Sequence, residues 1–359
     1  MRELQQAWPR PTRPRPIVVI GAGAIVRTAH LPAYRRLELP IAGVFDINPD
    51  QARATAHDFG VARVYGSLDE AAREPSPVFD VAVPGDRVVG VLERLPRGAA
   101  VLIQKPMGAD LAEANRILAC CRELDLTAAI NFQLRFAPGM LALHDLVAHH
   151  DLGRIVDVDV RVVIEQPWQN WTLMVGAPRV EIVYHSIHYI DALRWLIGEP
   201  AGVYCKAVGH PCTPQLTDTR SSIILDYGNS LRCSLVLNHT HKADATHKVS
   251  QIMVEGTTAI ARVTWGVNLD YPAGPPDTMQ VTVDRRWHDV PLRGSWFTEA
   301  FEGPMCNLQR FVGGEDPALV SPVEDAIRTM AVVEACYESS AHDATPIPQA
   351  GRRSPATHD

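Results

Sequence analysis

IVVIGAGAIVRTAHLPAY, Ile17 to Tyr34, decides the fold. Four apolar, mostly β-branched residues run into Gly21, and from Arg27 the pattern turns polar and periodic, so a buried strand feeds a tight turn and then a helix. Gly21 and Gly23 match the first two glycines of the GxGxxG dinucleotide fingerprint, with Val26 in the third place. A second apolar run, IAGVF, ends at Asp46, 23 residues after Gly23, close to the spacing of about 20 between such a turn and the acidic residue that binds a ribose. Glycines at the turn let backbone approach a pyrophosphate, the helix amides face its charge, and a carboxylate can accept from both ribose hydroxyls. Ala24 and Ile25, which open the helix, belong to the same expected cradle. Asp46 would repel a 2′-phosphate, which selects NAD over NADP.

Outward from this unit, strands at Ala62 to Tyr65, Phe79 to Val83, Ala100 to Gln104 and Ala128 to Phe132 alternate with helices, the pattern of a parallel sheet covered on both faces. After Phe136 long alternating strands dominate, from Arg154 to Glu165 through Met279 to Val283. They predict a largely antiparallel sheet interrupted by helices near Tyr184 to Ile197 and Thr298 to Val312. The fold class is therefore α/β, with an N-terminal Rossmann domain followed by an α+β domain built on a large open-faced sheet. The expected organisation is an extended, solvated tail over 1–15, a dinucleotide-binding domain over 16–135, and a substrate and oligomerisation domain over 136–320. A C-terminal helix over 321–340, packing back near the first domain, and a mobile tail over 341–359 complete it.

Composition sets limits on function. The 359 residues are 46% hydrophobic and 21% charged, with a net charge of −7, so the chain reads as globular and lacks the surplus of cations that nucleic acid demands. Seven scattered cysteines without a CxxC pair argue against a disulfide framework or a zinc site and fit a reducing cytoplasm. Nothing resembles a secretion signal or a membrane span, so neither membrane nor nucleic acid is an expected partner.

The chain resembles the Gfo/Idh/MocA oxidoreductases, the family of glucose-fructose oxidoreductase and inositol dehydrogenase. The likeness is carried by the opening segment, VAVP at Val81 to Pro84, VLIQKP at Val101 to Pro106, INFQLRFAPG at Ile130 to Gly139, IHYIDALRWLIG at Ile187 to Gly198, and the closing VEDAIRTMAVVEACYESS. It implies hydride transfer between NAD(P) and a secondary alcohol or ketone carbon of a sugar, polyol or cyclitol. Lys105 stands at the family's EKP lysine, where an ammonium would stabilise oxyanion character on the reacting oxygen; a cis Lys-Pro bond would aim it. Gln104 replaces the usual glutamate, and losing that carboxylate should let Lys105 titrate lower. Pro84, Gln104 and Asn131 are expected to border the cofactor beside Lys105, and Arg135 to border nicotinamide and substrate.

His188 occupies the place of the family's acid/base histidine. On an ideal helix, at about 100° per residue, Tyr184, His188, Asp191 and Trp195 share one face and His185 points away. Asp191 could satisfy His188 at i+3. Tyr184 stands where many relatives carry aspartate; beside Lys105 a phenol with a lowered pKa could itself move the proton. Trp168 and Trp171 lie on a loop suited to covering a sugar, and His185 is either a substrate contact or a core residue. His239, His241 and His247 lack the carboxylate or cysteine that would complete a metal set, so they read as substrate-facing or surface polar residues and no metal is expected.

Two further readings stand beside the dehydrogenase: a reductase of a nucleotide-linked keto-sugar, favoured by Tyr184, and a sensor or regulator that kept the fold and lost catalysis, favoured by Gln104, Tyr184 and Val88. The strands RIVDVDVRVVI and SLRCSLVLN carry apolar residues on both faces, so a homodimer or homotetramer through the C-terminal sheet is expected.

Overall fold

The computed structural model describes residues 2–170, 174–242, 244–272 and 274–348. Strands β1 (Ile17–Ile20), β2 (Ile41–Phe45), β3 (Val78–Val81), β4 (Ala100–Gln104) and β5 (Thr127–Asn131) form a parallel sheet in the order β2-β1-β3-β4-β5. Connections are helical: α1 (Leu31–Arg36), α2 (Pro49–Phe59), α3 (Leu68–Ala71), α4 (Gly85–Leu92) and α5 (Leu111–Glu123). Asn48 caps α2 by accepting from Asp50 and Gln51, and Gly60 ends it in the left-handed region. Asp110 caps α5 through a 2.8 Å bond from the Glu113 amide. The segment expected as a strand at Ala62 to Tyr65 makes only a single bridge, Val44 to Val64.

The second sheet runs β13-β12-β11-β10-β6-β9-β8-β7, built from β6 (Ile155–Val163), β7 (Gly202–Val208), β8 (Arg220–Asp226), β9 (Arg232–Asn238), β10 (Val249–Gly256), β11 (Ile260–Thr264), β12 (Thr278–Val283) and β13 (Arg286–Val290). Every pair is antiparallel except β6 with β9. Its inward residues, among them Val158, Val160, Ile223, Leu235, Ile252 and Val263, join the main core together with Met140 of α6 (Pro138–Ala148) and Leu193 of α7 (Ile187–Ile197). Its outward face is mixed rather than apolar: Asp159, Arg161, Ser222, Ser234, Gln251 and Arg262 stand on it at partial or full exposure. Exposed apolar side chains gather at the β7-β8-β9 end, where Tyr204 faces Ile224 across the ladder and Val236 lies one pair away.

Two helices tie the halves together. α8 (Glu302–Val312) lies in the second half of the sequence, yet Met305, Cys306 and Leu308 pack with Ile17, Val19, Leu102 and Ala129 of the parallel sheet. α9 (Val323–Ala341) contacts α5, α7 and β7, and Ser339 and Ser340 accept from the amides of Cys205 and Ala207 at 2.9 Å.

The N-terminal segment is extended but not solvated. Leu4 is 7% exposed, Arg2 pairs with Asp145 on α6 at 2.5 Å, and the Arg15 amide donates to Gln309 at 2.6 Å. Trp8 donates to Asp316 at 2.7 Å and sets its ring edge-on to Phe136 at 5.3 Å. Proline stiffens the segment as expected, but the apolar Leu4 and Trp8 between polar residues supply anchors. Of the C-terminal tail, residues 349–359 lie outside the described residues. Replacing Trp8 with Ala should lower stability by about 1–3 kcal/mol; urea denaturation measures it, and a solvated tail would give no change.

Candidate active site

At the first strand end, Gly21 has φ +97°, and a Cβ there would lie 2.3 Å from the Ala82 carbonyl oxygen, so backbone meets backbone with no room for a side chain. A Cβ on Gly23 would meet nothing within 4 Å. The opening above Gly23 is the cradle that a pyrophosphate needs, with exposed Ala24 and half-buried Ile25 starting the helix behind it. That helix winds as a π turn over Val26–His30 before α1. Asp46 accepts from the Ala22 amide at 2.7 Å and the Asn48 amide at 2.8 Å. These bonds hold its carboxylate at the mouth of a cavity of about 530 Å³ walled by Asp46, Arg53, Tyr65 and Leu68. Pro84 sits exposed at the N-cap of α4. Gly21, Gly23 and Asp46 thus fit a dinucleotide.

Asn131 departs from expectation. It is 1% exposed and donates to His30 Nε2 at 3.2 Å, while His30 Nδ1 lies 2.8 Å from Asp80 and Tyr34 donates to the same carboxylate oxygen at 2.9 Å. With Asn131 donating to Nε2, the ring carries its proton on Nδ1. This network is buried between the sheet and α1, so Asn131 serves the core rather than the cofactor groove. Nothing in the linear sequence marked His30, Tyr34 and Asp80, 46 to 50 residues apart in their pairings, as one cluster.

A cavity of about 230 Å³ lies where the end of β4 meets the start of α7, with Ile25 of the cofactor turn in its wall. Lys105 enters from β4, its bond to Pro106 being cis as expected, and Nζ donates to the main-chain oxygen of Tyr184 at 2.8 Å. Burial of the ammonium lowers its pKa to about 8. His188, 7% exposed, turns its ring edge to Trp296 at 5.3 Å. Burial, and then the charge of Lys105, hold it well below the ordinary imidazole range, so it is neutral near pH 7.

The residue faces expected of an ideal helix are not those observed, because Ile182–Ser186 winds as a π turn ahead of α7. The wider turn brings His185 into the cavity wall beside Tyr184 and His188. His185 stacks on His239 at 4.6 Å, and burial first, then His239, Lys105 and His188, push its pKa well down. Tyr184 does not have the lowered pKa expected from Lys105. Burial raises it, with Glu113 and Asp86 acting in the same direction, and the lysine binds its carbonyl rather than its phenol.

Three other expectations are corrected. Asp191 does not serve His188, because Arg135 donates two bonds to it at 2.7 and 2.6 Å and Thr329 a third at 2.8 Å. Arg135, 2% exposed, also binds Asp325 at 2.6 Å and the Val320 oxygen, so it is sealed in an ion network and touches no substrate. Trp168 is buried behind the cavity, edge-on to His185 at 5.3 Å and donating to the His239 oxygen at 3.1 Å; it braces the wall and does not cover a sugar. Trp171 lies outside the described residues.

His239 lines the cavity, whereas His241 does not and exposed His247 pairs with Asp244 at 2.8 Å, so the three do not converge. Among the described residues no group of three metal-binding side chains is found. The linear pattern missed Gln133, Gln166, Asn268 and Trp296 in the wall. They come from four separate loops or strand ends, and Gln133 alone lay within a quoted motif.

Sequence models describing an oxidoreductase family with an NAD-binding Rossmann fold and the GFO/IDH/MocA C-terminal domain match residues 15–132 and 140–262. The chain belongs to the Gfo/Idh/MocA oxidoreductase family. Relatives include the trans-1,2-dihydrobenzene-1,2-diol dehydrogenase of Bos taurus, 26% identical over 277 residues, 72% of this chain and 79% of that protein. The glucose-6-phosphate 3-dehydrogenase of Bacillus subtilis is 30% identical over 146 residues, covering 40% of this chain and 41% of that one. In fold, the chain matches an Agrobacterium radiobacter oxidoreductase crystallised with NAD+, L-tartaric acid and magnesium, with TM-score 0.76 and 18% identity, covering 92% of this chain and 97% of that one. As a Gfo/Idh/MocA member it is an NAD(P)-dependent dehydrogenase with an N-terminal NAD-binding Rossmann fold.

Removing one partner of the sealed ion network strands the other charge. Arg135→Ala should therefore cost about 3–5 kcal/mol, read as a lower denaturation midpoint. An arginine engaged only with substrate would leave the midpoint in place.

Proposed function

We propose that the chain oxidises a secondary alcohol of a sugar, polyol or cyclitol, or reduces the corresponding ketone, in the cavity between Lys105 and His188. The observation that carries this reading is the convergence of the Lys105 ammonium and the His188 imidazole on a small cavity with Ile25 of the cofactor turn in its wall. Bound NAD would supply the acceptor of the hydride. The Lys105 ammonium donates toward the carbinol oxygen and stabilises its developing negative charge. His188, uncharged near neutral pH, takes the hydroxyl proton. Tyr184, Trp296 and Phe297 give the apolar surface on which ring carbons pack. Tyr184 holds a wall position in this scheme, since its raised pKa keeps the phenol protonated and unable to accept a proton.

A nucleotide-linked keto-sugar finds less support. Among the described residues the cavity wall contains no arginine, and Lys105 is occupied with the reacting oxygen, leaving a diphosphate without a clamp. The same proposal includes a homodimer or homotetramer through the β7-β8-β9 end of the open sheet, where Tyr204 and Ile224 are 65% and 49% exposed. Light scattering that gave only the 39.4 kDa monomer mass at micromolar concentration would remove that part.

Fluorescence titration should show NADH binding at least about tenfold more tightly than NADPH, a difference of roughly 1.4 kcal/mol, and Asp46→Ala should narrow the gap. Equal affinities in the unmodified chain would end the assignment of Asp46. The pH profile follows from Lys105. Its ammonium is present below about 8 and lost above, so kcat/KM for alcohol oxidation should fall as pH rises through that value. Lys105→Met should lower kcat by about 10²–10³-fold and remove the limb; a limb that persists in this variant belongs to another group.

A further inference from the structure

The ionisable side chains that reach the cavity are basic or phenolic. Lys105 enters from the end of β4, His185 and His188 from the π turn and α7, and His239 from the end of β9; among the described residues no aspartate or glutamate lines the wall. This is unusual for a chain with net charge −7. Carboxylates that do approach stand outside the wall. Glu181 is fully buried behind His239, its Oε1 3.3 Å from Nε2 and accepting from Ser186 at 2.6 Å. Asp218 accepts from the Val180 and Glu181 amides, and Glu113 and Asp86 act electrostatically on Tyr184.

Several polar atoms of this wall are buried and have no hydrogen-bond partner among the described residues. They include His188 Nδ1, His239 Nδ1 and Trp296 Nε1, on side chains 7%, 2% and 4% exposed. An indole N–H can only donate. A buried ammonium without a counterion is costly, and the cost falls either by loss of its proton or by arrival of an anion. The partner of Lys105 is a main-chain carbonyl, which offsets part of that cost and no charge.

We infer that the substrate carries a carboxylate, and that His239, His185 and Trp296 receive it while Lys105 and His188 hold the carbinol: the chain is built for a polyhydroxy acid rather than a neutral sugar. This rests on the dehydrogenase reading and narrows it. A carboxylate in the cavity supplies the missing countercharge, accepts from the indole N–H, and favours the protonated forms of Lys105 and His185. Glu181 stands 3.3 Å from His239 Nε2 without a hydrogen bond, and Nδ1 is likewise without a partner among the described residues, so both ring nitrogens can be engaged by a ligand. Because burial keeps His185 uncharged and Lys105 near its midpoint at pH 8, an anion must draw protons in as it binds, and a neutral polyol must not.

The test uses pairs that differ only in the acid group: D-gluconate with D-glucitol, and D-glucuronate with D-glucose. Each is titrated calorimetrically into the NADH-loaded protein at pH 8 in two buffers of different ionisation enthalpy. The acids should bind at least tenfold more tightly than their neutral partners, with net proton uptake. His239→Gln, checked for folding by its NADH affinity, should weaken the acids about tenfold. Equal affinity within each pair, or acid binding without proton uptake, overturns the inference even if His239→Gln fails to fold, because those comparisons use the unmodified chain. Absence of NADH binding would instead remove the dehydrogenase reading, and the same titrations on the cofactor-free protein would then decide the anion site separately.

Discussion

A single guanidinium holds the site in place. Arg135 follows β5 on the short turn Gln133–Phe136, and from there it grips Asp191 on α7 and Asp325 on α9, while Arg194 joins Asp325 at 3.2 Å and Thr329 binds Asp191. Three segments far apart in sequence therefore meet at one buried charge cluster whose members satisfy one another. Planar bidentate geometry suits this task better than a lysine would, since two parallel bonds fix orientation as well as distance. Asp191 lies one helical turn after His188, so the clamp on α7 also sets where the imidazole sits. Desolvated pairs of this kind contribute little net stability, whereas leaving one member without its partner is costly.

The architecture was largely legible in the sequence because its signals are local. Continuous β-branched runs gave the parallel strands, alternation gave the long antiparallel ones, and glycine spacing with Asp46 located the cofactor turn. Misses have physical reasons. PGMLALHDLVA over Pro138–Ala148 is apolar on nearly every side, being buried almost throughout, so it carries no helical period. RWHDV over Arg286–Val290 is an exposed edge strand with no apolar alternation to announce it.

The site was less legible than the fold. Lys105, His188 and Tyr184 were placed in one region by motif, and they do share a cavity. The roles of their neighbours depended on which way a helix turned. A π turn of five residues at Ile182–Ser186 changes the directions in which the side chains at the start of α7 point, and sequence carries no simple signal for it. Arg135 and Asn131, polar residues beside a matched motif, looked like ligand contacts but found partners inside the protein that lay 56 to 190 and 101 residues away. Trp168 was similarly drawn inward by the main-chain oxygen of His239, just past the end of β9.

The seat of α8 bears on how the protein is made. Met305, Cys306 and Leu308 complete the cover that α1 and α2 begin over Ile17, Val19 and Leu102, so part of one face of the first sheet stays open until more than 300 residues have left the ribosome. At about 5–20 residues per second, the nascent dinucleotide-binding half spends on the order of ten seconds or more with part of an apolar face uncovered. Synthesis order and folding order are thereby uncoupled: the half translated first is among the last to close.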